Sequence, residues 1–151
     1  MFFSIALRTV VAVATVSVMT ACTSPERATF FVLHSNTSVT VERLSRNLYL
    51  AEYERTIIIE KGGRPIKQLK MFPDTGGYSR ANLYRLDGQT LLLRDAADSY
   101  TIDLVNQAVF KDESRREAGT FLGSFDRDGS KTWRFLPVGE RPEMPTEFSG
   151  G

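Results

Sequence analysis

The sequence has few of the residues on which many enzyme sites depend. Its 151 residues include one cysteine, Cys22, and one histidine, His34. A single cysteine excludes an intramolecular disulfide. A single histidine leaves catalytic triads, cysteine–histidine pairs and zinc sites dependent on one residue. We therefore predict no metal site and no cofactor.

The chain also lacks an excess of charge of one sign. Arg8 is the one basic residue in the first 21, and the 18 basic residues that remain balance 18 acidic ones. Binding to nucleic acid depends on clustered Lys and Arg side chains that neutralise many phosphates. We expect no nucleic-acid partner.

The apolar run from Val10 to Ala21 carries no charge and follows Arg8. It is too short to cross a bilayer, because a membrane-spanning helix needs about 20 apolar residues. A positively charged segment followed by a short apolar run is typical of an export signal. Residues 1–21 are therefore predicted to be a cleavable leader.

The leader ends in Val18-Met19-Thr20-Ala21, and Cys22 follows directly. This segment resembles the lipobox of bacterial lipoproteins. The resemblance implies that the Cys22 sulfur receives a diacylglycerol, that cleavage precedes Cys22, and that the new amino terminus receives an N-acyl chain. Several acyl chains on one residue anchor a protein firmly to a membrane. Because residue 23 is Thr and not Asp, the resemblance favours the periplasmic face of the outer membrane in a bacterium with two membranes.

The remaining sequence divides into three parts. Residues 22–28 are short, polar and interrupted by Pro25, so they are predicted to be a lipidated tether. Residues 29–138 have the length of one domain with an apolar core. Residues 139–151 contain two prolines and terminal glycines, and are predicted to be a flexible tail.

The domain is predicted to be mostly β, because apolar residues alternate with a period of two and no long segment has a helical period. The predicted strands are 29–33, 38–44, 47–53, 56–60, 66–71, 78–86, 89–94, 99–104, 119–125 and 132–136. Glycines in the segments 61–64, 86–89 and 128–130 predict tight hairpins with positive φ. An antiparallel meander results, which forms a small barrel, a sandwich or a propeller-like sheet.

Two carboxylates, Asp95 and Asp98, follow an apolar strand and lie close in sequence to Tyr100. Paired carboxylates can perform acid and base chemistry, as in glycoside cleavage. The alternative interpretation is a hairpin turn, in which the Asp side chains accept hydrogen bonds from backbone N–H groups.

A second candidate site is aromatic. Phe121 and Phe125 share one strand face, and Trp133 and Phe135 share a face of the next strand. If this face is open, the rings form a stacking platform for a sugar or a peptide, to which Tyr100 can contribute. If it is closed, the rings are the core of the domain. Gly123 is expected to leave room beneath a ring.

Three functions follow as hypotheses. The first is a membrane-anchored, non-enzymatic binding or accessory protein of the bacterial envelope that holds a protein, peptide or glycan. The second is a small envelope hydrolase that uses Asp95 and Asp98. The third is a structural or stress-sensing lipoprotein.

Overall fold

The computed structural model describes residues 24–47, 49–76, 80–112 and 118–143. The predicted leader and Cys22 lie outside the described residues. Ten strands form the regular structure of the described part. They are β1 Glu26–Phe31, β2 Thr37–Ser45, β3 Tyr53–Lys61, β4 Arg64–Lys70, β5 Ala81–Arg85, β6 Thr90–Arg94, β7 Ser99–Asp103, β8 Ala108–Lys111, β9 Thr120–Arg127 and β10 Trp133–Pro137. The prediction of a mostly β domain is confirmed.

The strands form two antiparallel sheets. The four-stranded sheet has the order β1-β2-β3-β4, and the six-stranded sheet has the order β10-β9-β5-β6-β7-β8. Two parts are meanders, β1 to β4 and β5 to β8, as predicted. The meander stops at β8, because β9 returns to pair with β5 on the other side of the six-stranded sheet. The sheets do not close into a barrel.

The two sheets share one apolar core. Its members alternate along each strand, as expected where one face of a sheet is buried. From the four-stranded sheet they include Ala28, Val39, Val41, Ile57 and Ile59, and from the six-stranded sheet Leu83, Leu91, Leu93, Tyr100, Ile102, Phe125 and Trp133. At the sides of the core, β1 lies beside β10 and β4 beside β8.

The predicted hairpins are confirmed, but their glycines have positive φ in only one of the three; in the 86–89 hairpin, Gly88 does not. Segment 61–64 joins β3 to β4, and both Gly62 and Gly63 have positive φ. In the turn between β9 and β10, however, positive φ occurs at Lys131 and not at Gly129. There Asp128 Oδ1 accepts hydrogen bonds from the N–H groups of Ser130 and Thr132. A side-chain oxygen therefore fixes this turn without a left-handed glycine.

The predicted strand 47–53 is wrong, since only Tyr53 belongs to a strand. Asn47 Oδ1 accepts a hydrogen bond from the N–H of Tyr49, and the N–H of Arg46 bonds to the carbonyl of Glu52. These bonds close a loop between β2 and β3. Local side-chain bonds of this kind compete with a strand ladder.

Strand β8 was not predicted. The turn before it contains no glycine, and its positive φ is at Gln107. Asp103 Oδ1 accepts hydrogen bonds from the N–H groups of Val105 and Asn106, which makes the turn. A hairpin built on Asp and Asn gives a weaker sequence signal than one built on glycine.

The four-stranded sheet has two distinct ends. At the first end, which we call the entry end, the chain enters β1, leaves β2, enters β3 and leaves β4, because Glu26 pairs with Arg43 and Ser45 pairs with Tyr53. At the other end, which we call the far end, β1 ends and the 61–64 hairpin lies.

The part of the chain that the structure describes contains no helix with the length and apolar character needed to span a membrane.

Part of the segment predicted to be a flexible tail contacts the six-stranded sheet. The Tyr84 hydroxyl donates a hydrogen bond to Glu143 Oε1 at 2.7 Å, and Arg80 bonds to the carbonyl of Pro142. Residues 144–151 of the predicted tail lie outside the described residues.

Candidate functional site

A group of polar side chains occupies the interior of the fold at the entry end. It consists of Arg43, Arg55, Asp95, Asp98 and Tyr100, and we call it the polar cluster. Arg43 and Arg55 occupy inward positions of β2 and β3, in line with the core residues of those strands. The acidic residues come from the turn between β6 and β7. The cluster thus joins the two sheets where their apolar core ends.

Arg43 is held between aromatic rings and a carboxylate. Its guanidinium carbon lies 4.2 Å from the ring centroid of Trp133 and 4.6 Å from that of Tyr53. Its Nε donates to Glu26 Oε2 at 2.7 Å. Burial lowers the pKa of Arg43, and the Glu26 carboxylate opposes this effect. Stacking on two rings stabilises a cation that is removed from water.

Arg55 is paired with Asp95 across the interface between the sheets. Its Nη2 lies 2.7 Å from Asp95 Oδ2, and both side chains are almost completely buried. The other carboxylate oxygen of Asp95 accepts hydrogen bonds from the N–H groups of Ala97 and Asp98. Asp95 therefore fixes its own turn and neutralises a buried arginine. This geometry agrees with the hairpin-turn interpretation of this segment.

Asp98 and Tyr100 form the other half of the cluster. Asp98 Oδ1 lies 2.8 Å from the Lys111 ammonium group, and Asp98 Oδ2 accepts a hydrogen bond from the Tyr100 hydroxyl at 3.2 Å. Burial raises the pKa of Tyr100 to about 12; the N–H of Phe72 opposes the increase, and the carboxylates add to it. The phenol is thus held in its neutral form.

The polar cluster holds the backbone of one exposed aromatic residue, Phe72. Arg55 Nη2 donates to the Phe72 carbonyl at 2.7 Å, and the Phe72 N–H donates to the Tyr100 hydroxyl at 2.9 Å. Both main-chain groups of Phe72 are therefore fixed by buried side chains. Its own side chain is 56% exposed.

A second exposed apolar segment lies on the neighbouring loop. Tyr49 is 94% exposed and Leu50 is 55% exposed. The loop that carries them is joined to the loop of Phe72 by an antiparallel bridge, in which Tyr53 and Asp74 exchange both backbone hydrogen bonds. We call Tyr49, Leu50 and Phe72 the entry-end apolar residues.

The predicted aromatic platform is not an open surface. Trp133 is 3% exposed and its Nε1 donates to the carbonyl of Val41 at 2.9 Å. Phe125 is fully buried and packs edge to face with Phe135, which in turn contacts Phe30. The rings of Trp133 and Phe125 are therefore part of the closed core. Tyr100 is buried as well.

The prediction that Phe121 shares a strand face with Phe125 is wrong, because the pairing of β9 with β5 shifts register between them and breaks the alternation. Phe121 packs against Tyr84, with 5.7 Å between the ring centroids. Gly123 separates the two phenylalanines of β9, and a Cβ atom at this position would lie 2.7 Å from the Phe135 ring. The expected room beneath a ring is confirmed at Gly123.

A shallow cleft of 430 Å³ lies beside the turn between β9 and β10. Its charged groups are paired with one another: Arg134 with Asp128 and Glu140, and Arg141 with Asp126. The remaining cation, Arg127, donates to the Tyr53 hydroxyl at 2.6 Å. Internal pairing of this kind leaves little free charge for a ligand.

His34 occupies a left-handed position in the turn between β1 and β2, with a φ of 58°. Across residues 24–47, 49–76, 80–112 and 118–143, no group of three His, Cys, Asp or Glu side chains is arranged to hold a metal ion.

Sequence patterns did not predict the two buried arginines or the exposed Phe72. The alternation of β2, which places Val39 and Val41 inward, also places Arg43 inward, and Arg55 has the same relation to Ile57 in β3. The sequence signal for a buried arginine was therefore a charged residue at a position that the alternation assigns to the core. Phe72 has no comparable signal, because its fixed backbone depends on residues distant in sequence.

Comparisons with protein-family models, with curated proteins and with solved structures find no match for this chain.

Proposed function

We propose that this chain is a lipid-anchored, non-enzymatic binding protein of the bacterial envelope, with Cys22 as the anchor. One observation carries the proposal. The folded domain begins at Glu26, four residues after Cys22, and the far end presents large exposed apolar side chains. The domain then stands directly on the membrane and offers its far end to a partner.

The anchor is supported by the way in which the chain enters the domain. Arg43 pairs with Glu26, the first residue of β1, and that arginine is buried against Trp133. The start of β1 is thus fixed to the core and does not fray into a long flexible arm. A lipid on Cys22 therefore positions the whole domain.

The environments of Asp95 and Asp98 support a binding role over hydrolysis. Asp95 has one oxygen on Arg55 and the other on two backbone N–H groups, and Asp98 is engaged by Lys111 and Tyr100. A catalytic carboxylate must reach its substrate. These two carboxylates instead hold the sheets and the turn together.

The far end supplies a surface suited to a protein partner. Phe31 is on β1, Leu33 follows it, and Val138 follows β10, the strand beside β1. All three side chains are more than half exposed. Because Phe30 of β1 packs against Phe135 of β10, the ends of these two strands lie side by side. Exposed apolar side chains on neighbouring strand ends are typical of protein interaction sites.

The anchor is tested by expressing the full chain in a bacterium supplied with labelled palmitate. We expect label in the processed protein and its recovery with membranes. The variant Cys22→Ser should carry no label and should not be processed at this site. Membrane-bound, processed but unlabelled wild-type protein would contradict the proposal.

Partner binding is tested with a photo-crosslinking amino acid at residue 33 in intact cells. We expect a defined crosslinked protein that is lost when Phe31→Ser and Val138→Ser are introduced. A crosslinker at residue 129, a turn position near the entry end where nothing lies within 4 Å of an added Cβ atom, is the matched control. Equal products from both positions would argue against a specific surface at the far end.

A further inference from the structure

We propose that the entry-end apolar residues, Tyr49, Leu50 and Phe72, rest in the interfacial layer of the bilayer that carries the lipid on Cys22. The inference depends on the proposed function, because it takes Cys22 as the lipid anchor. It adds a second contact between protein and membrane, made by side chains of the folded domain. The domain then has a fixed orientation on the membrane.

The length of the tether places this end of the domain at the membrane. Three residues lie between Cys22 and Glu26. The four steps along the chain from residue 22 to residue 26 span at most about 14 Å. The loops of Tyr49 and Phe72 lie at the same end of the four-stranded sheet as Glu26. Neighbouring strands are about 4.8 Å apart, so β3 and β4 are displaced from β1 by only about 10 and 14 Å. The loops are therefore within reach of the surface to which the tether is attached.

The same end presents side chains suited to the membrane interface. Tyr49 and Phe72 are aromatic, and Tyr49 combines an apolar ring with a hydroxyl group that can remain in water. Tyrosine is enriched at the boundary between lipid and water for this reason. Leu50 and Phe72 each expose more than half of their side chain in the isolated domain. Contact with acyl chains removes this apolar surface from water.

The structure restrains the backbone of the loops that carry these side chains. Arg55 and Tyr100 fix the two main-chain groups of Phe72, and the bridge between Tyr53 and Asp74 ties its loop to that of Leu50. Holding the loops in advance reduces the ordering entropy that membrane contact would otherwise cost. The buried polar cluster thus acquires a role as the support of a membrane-facing surface.

The experiment uses the full chain, processed and lipidated in cells and then reconstituted. The vesicles contain phosphatidylethanolamine and phosphatidylglycerol, and some lipids carry a nitroxide on the acyl chain. Leu50→Cys and Phe72→Cys each introduce one thiol for a polarity-sensitive fluorophore, since the acylated Cys22 cannot react. Val105→Cys is the matched control, because Val105 is an exposed apolar residue in the turn between β7 and β8.

We expect fluorophores at positions 50 and 72 to shift to shorter emission wavelengths and to be quenched several-fold more strongly than the fluorophore at position 105. Equal quenching at all three positions would overturn the inference. Palmitate labelling of the same proteins separates the two proposals. Labelled protein with unquenched fluorophores refutes only the membrane contact, whereas protein without label refutes the anchor and, with it, this inference.

Discussion

Arg43 and Arg55 lie directly opposite one another in the pairing of β2 with β3, and both are buried, at 2% and 4% exposure. Two like charges side by side in an apolar interior repel each other, so each needs its own counterion. Arg43 takes Glu26 from the neighbouring strand β1, whereas Arg55 takes Asp95 from the other sheet. The second pair therefore connects the two sheets.

Removal of one partner from the buried pair should destabilise the domain strongly. Arg55→Met leaves the Asp95 carboxylate buried without its cation and removes the donor to the Phe72 carbonyl. Breaking a buried ion pair in this way costs about 3–5 kcal/mol. Urea unfolding followed by circular dichroism measures the loss.

Two further variants make this prediction specific. Arg55→Met combined with Asp95→Asn keeps the turn acceptor but removes both charges, so it should lose less stability than the sum of the single changes. Arg46→Ala breaks the exposed pair with Glu54 and should cost about 1 kcal/mol or less. A similar loss of stability in Arg55→Met and Arg46→Ala would show that the buried pair contributes no more to stability than the exposed pair.

The polar cluster shows where sequence reasoning stops. The turn at Asp95 and the strands on either side of it follow from local patterns, because an apolar run, a polar turn and an alternating strand are adjacent in sequence. The partner of Asp95 is 40 residues away, on a strand of the other sheet. That contact depends on how the sheets pack, which the alternation of residues leaves open.

The same limit applies to the sheets themselves. Glycine-containing hairpins identified which strands are consecutive neighbours, and those predictions are confirmed for 61–64, 86–89 and 128–130. The return of β9 to β5 has no local signal, since the two strands are connected through β6, β7 and β8. For the aromatic residues, likewise, alternation predicts which side chains share a face. It does not predict whether another sheet covers that face.

Gly123 should be one of the least replaceable positions in the domain. Its φ is 146°, and an added Cβ atom would lie 2.3 Å from the carbonyl oxygen of Leu136. It also sits at the point where the pairing of β5 with β9 shifts register. Gly123→Ala is expected to lower the free energy of unfolding by about 3 kcal/mol or more, through combined overpacking and backbone strain.

Thermal unfolding compares Gly123→Ala with Gly129→Ala. At Gly129 an added Cβ atom meets nothing within 4 Å, so the midpoint should remain near that of the wild type. Equal effects of the two substitutions would contradict the packing described around Gly123.

The domain should lose stability at alkaline pH because of Tyr100. Burial raises the pKa of its phenol to about 12 in the folded state, against 10.0 for the unperturbed group. The neutral phenol is favoured by folding, so its contribution is complete below pH 10 and is lost as the pH rises from 10 to about 12. Two pKa units correspond to about 3 kcal/mol. Urea midpoints measured between pH 9 and 11 should therefore fall less steeply in Tyr100→Phe than in the wild type.

Tyr84 provides an internal comparison for this pH dependence. Its pKa is also raised to about 12, mainly by burial and also by its hydrogen bond to Glu143. Tyr84→Phe should remove a similar part of the alkaline loss, and the double variant should remove more than either single change. If the urea midpoint falls with pH equally steeply in the wild type and in all variants, the alkaline loss of stability does not come from these two phenols.

Trp133, the single tryptophan of the chain, distinguishes a closed core from an open aromatic surface in solution. Its ring is buried beneath the guanidinium of Arg43, and its Nε1 bonds to the carbonyl of Val41. The folded protein should emit at a shorter wavelength than free tryptophan and should resist quenching by acrylamide until it unfolds. Trp133→Phe keeps most of the apolar volume but removes the donor to Val41, so the expected loss is about 1–3 kcal/mol. If folded protein, verified by circular dichroism, emits like a water-exposed indole, the sheets do not close over this ring as described.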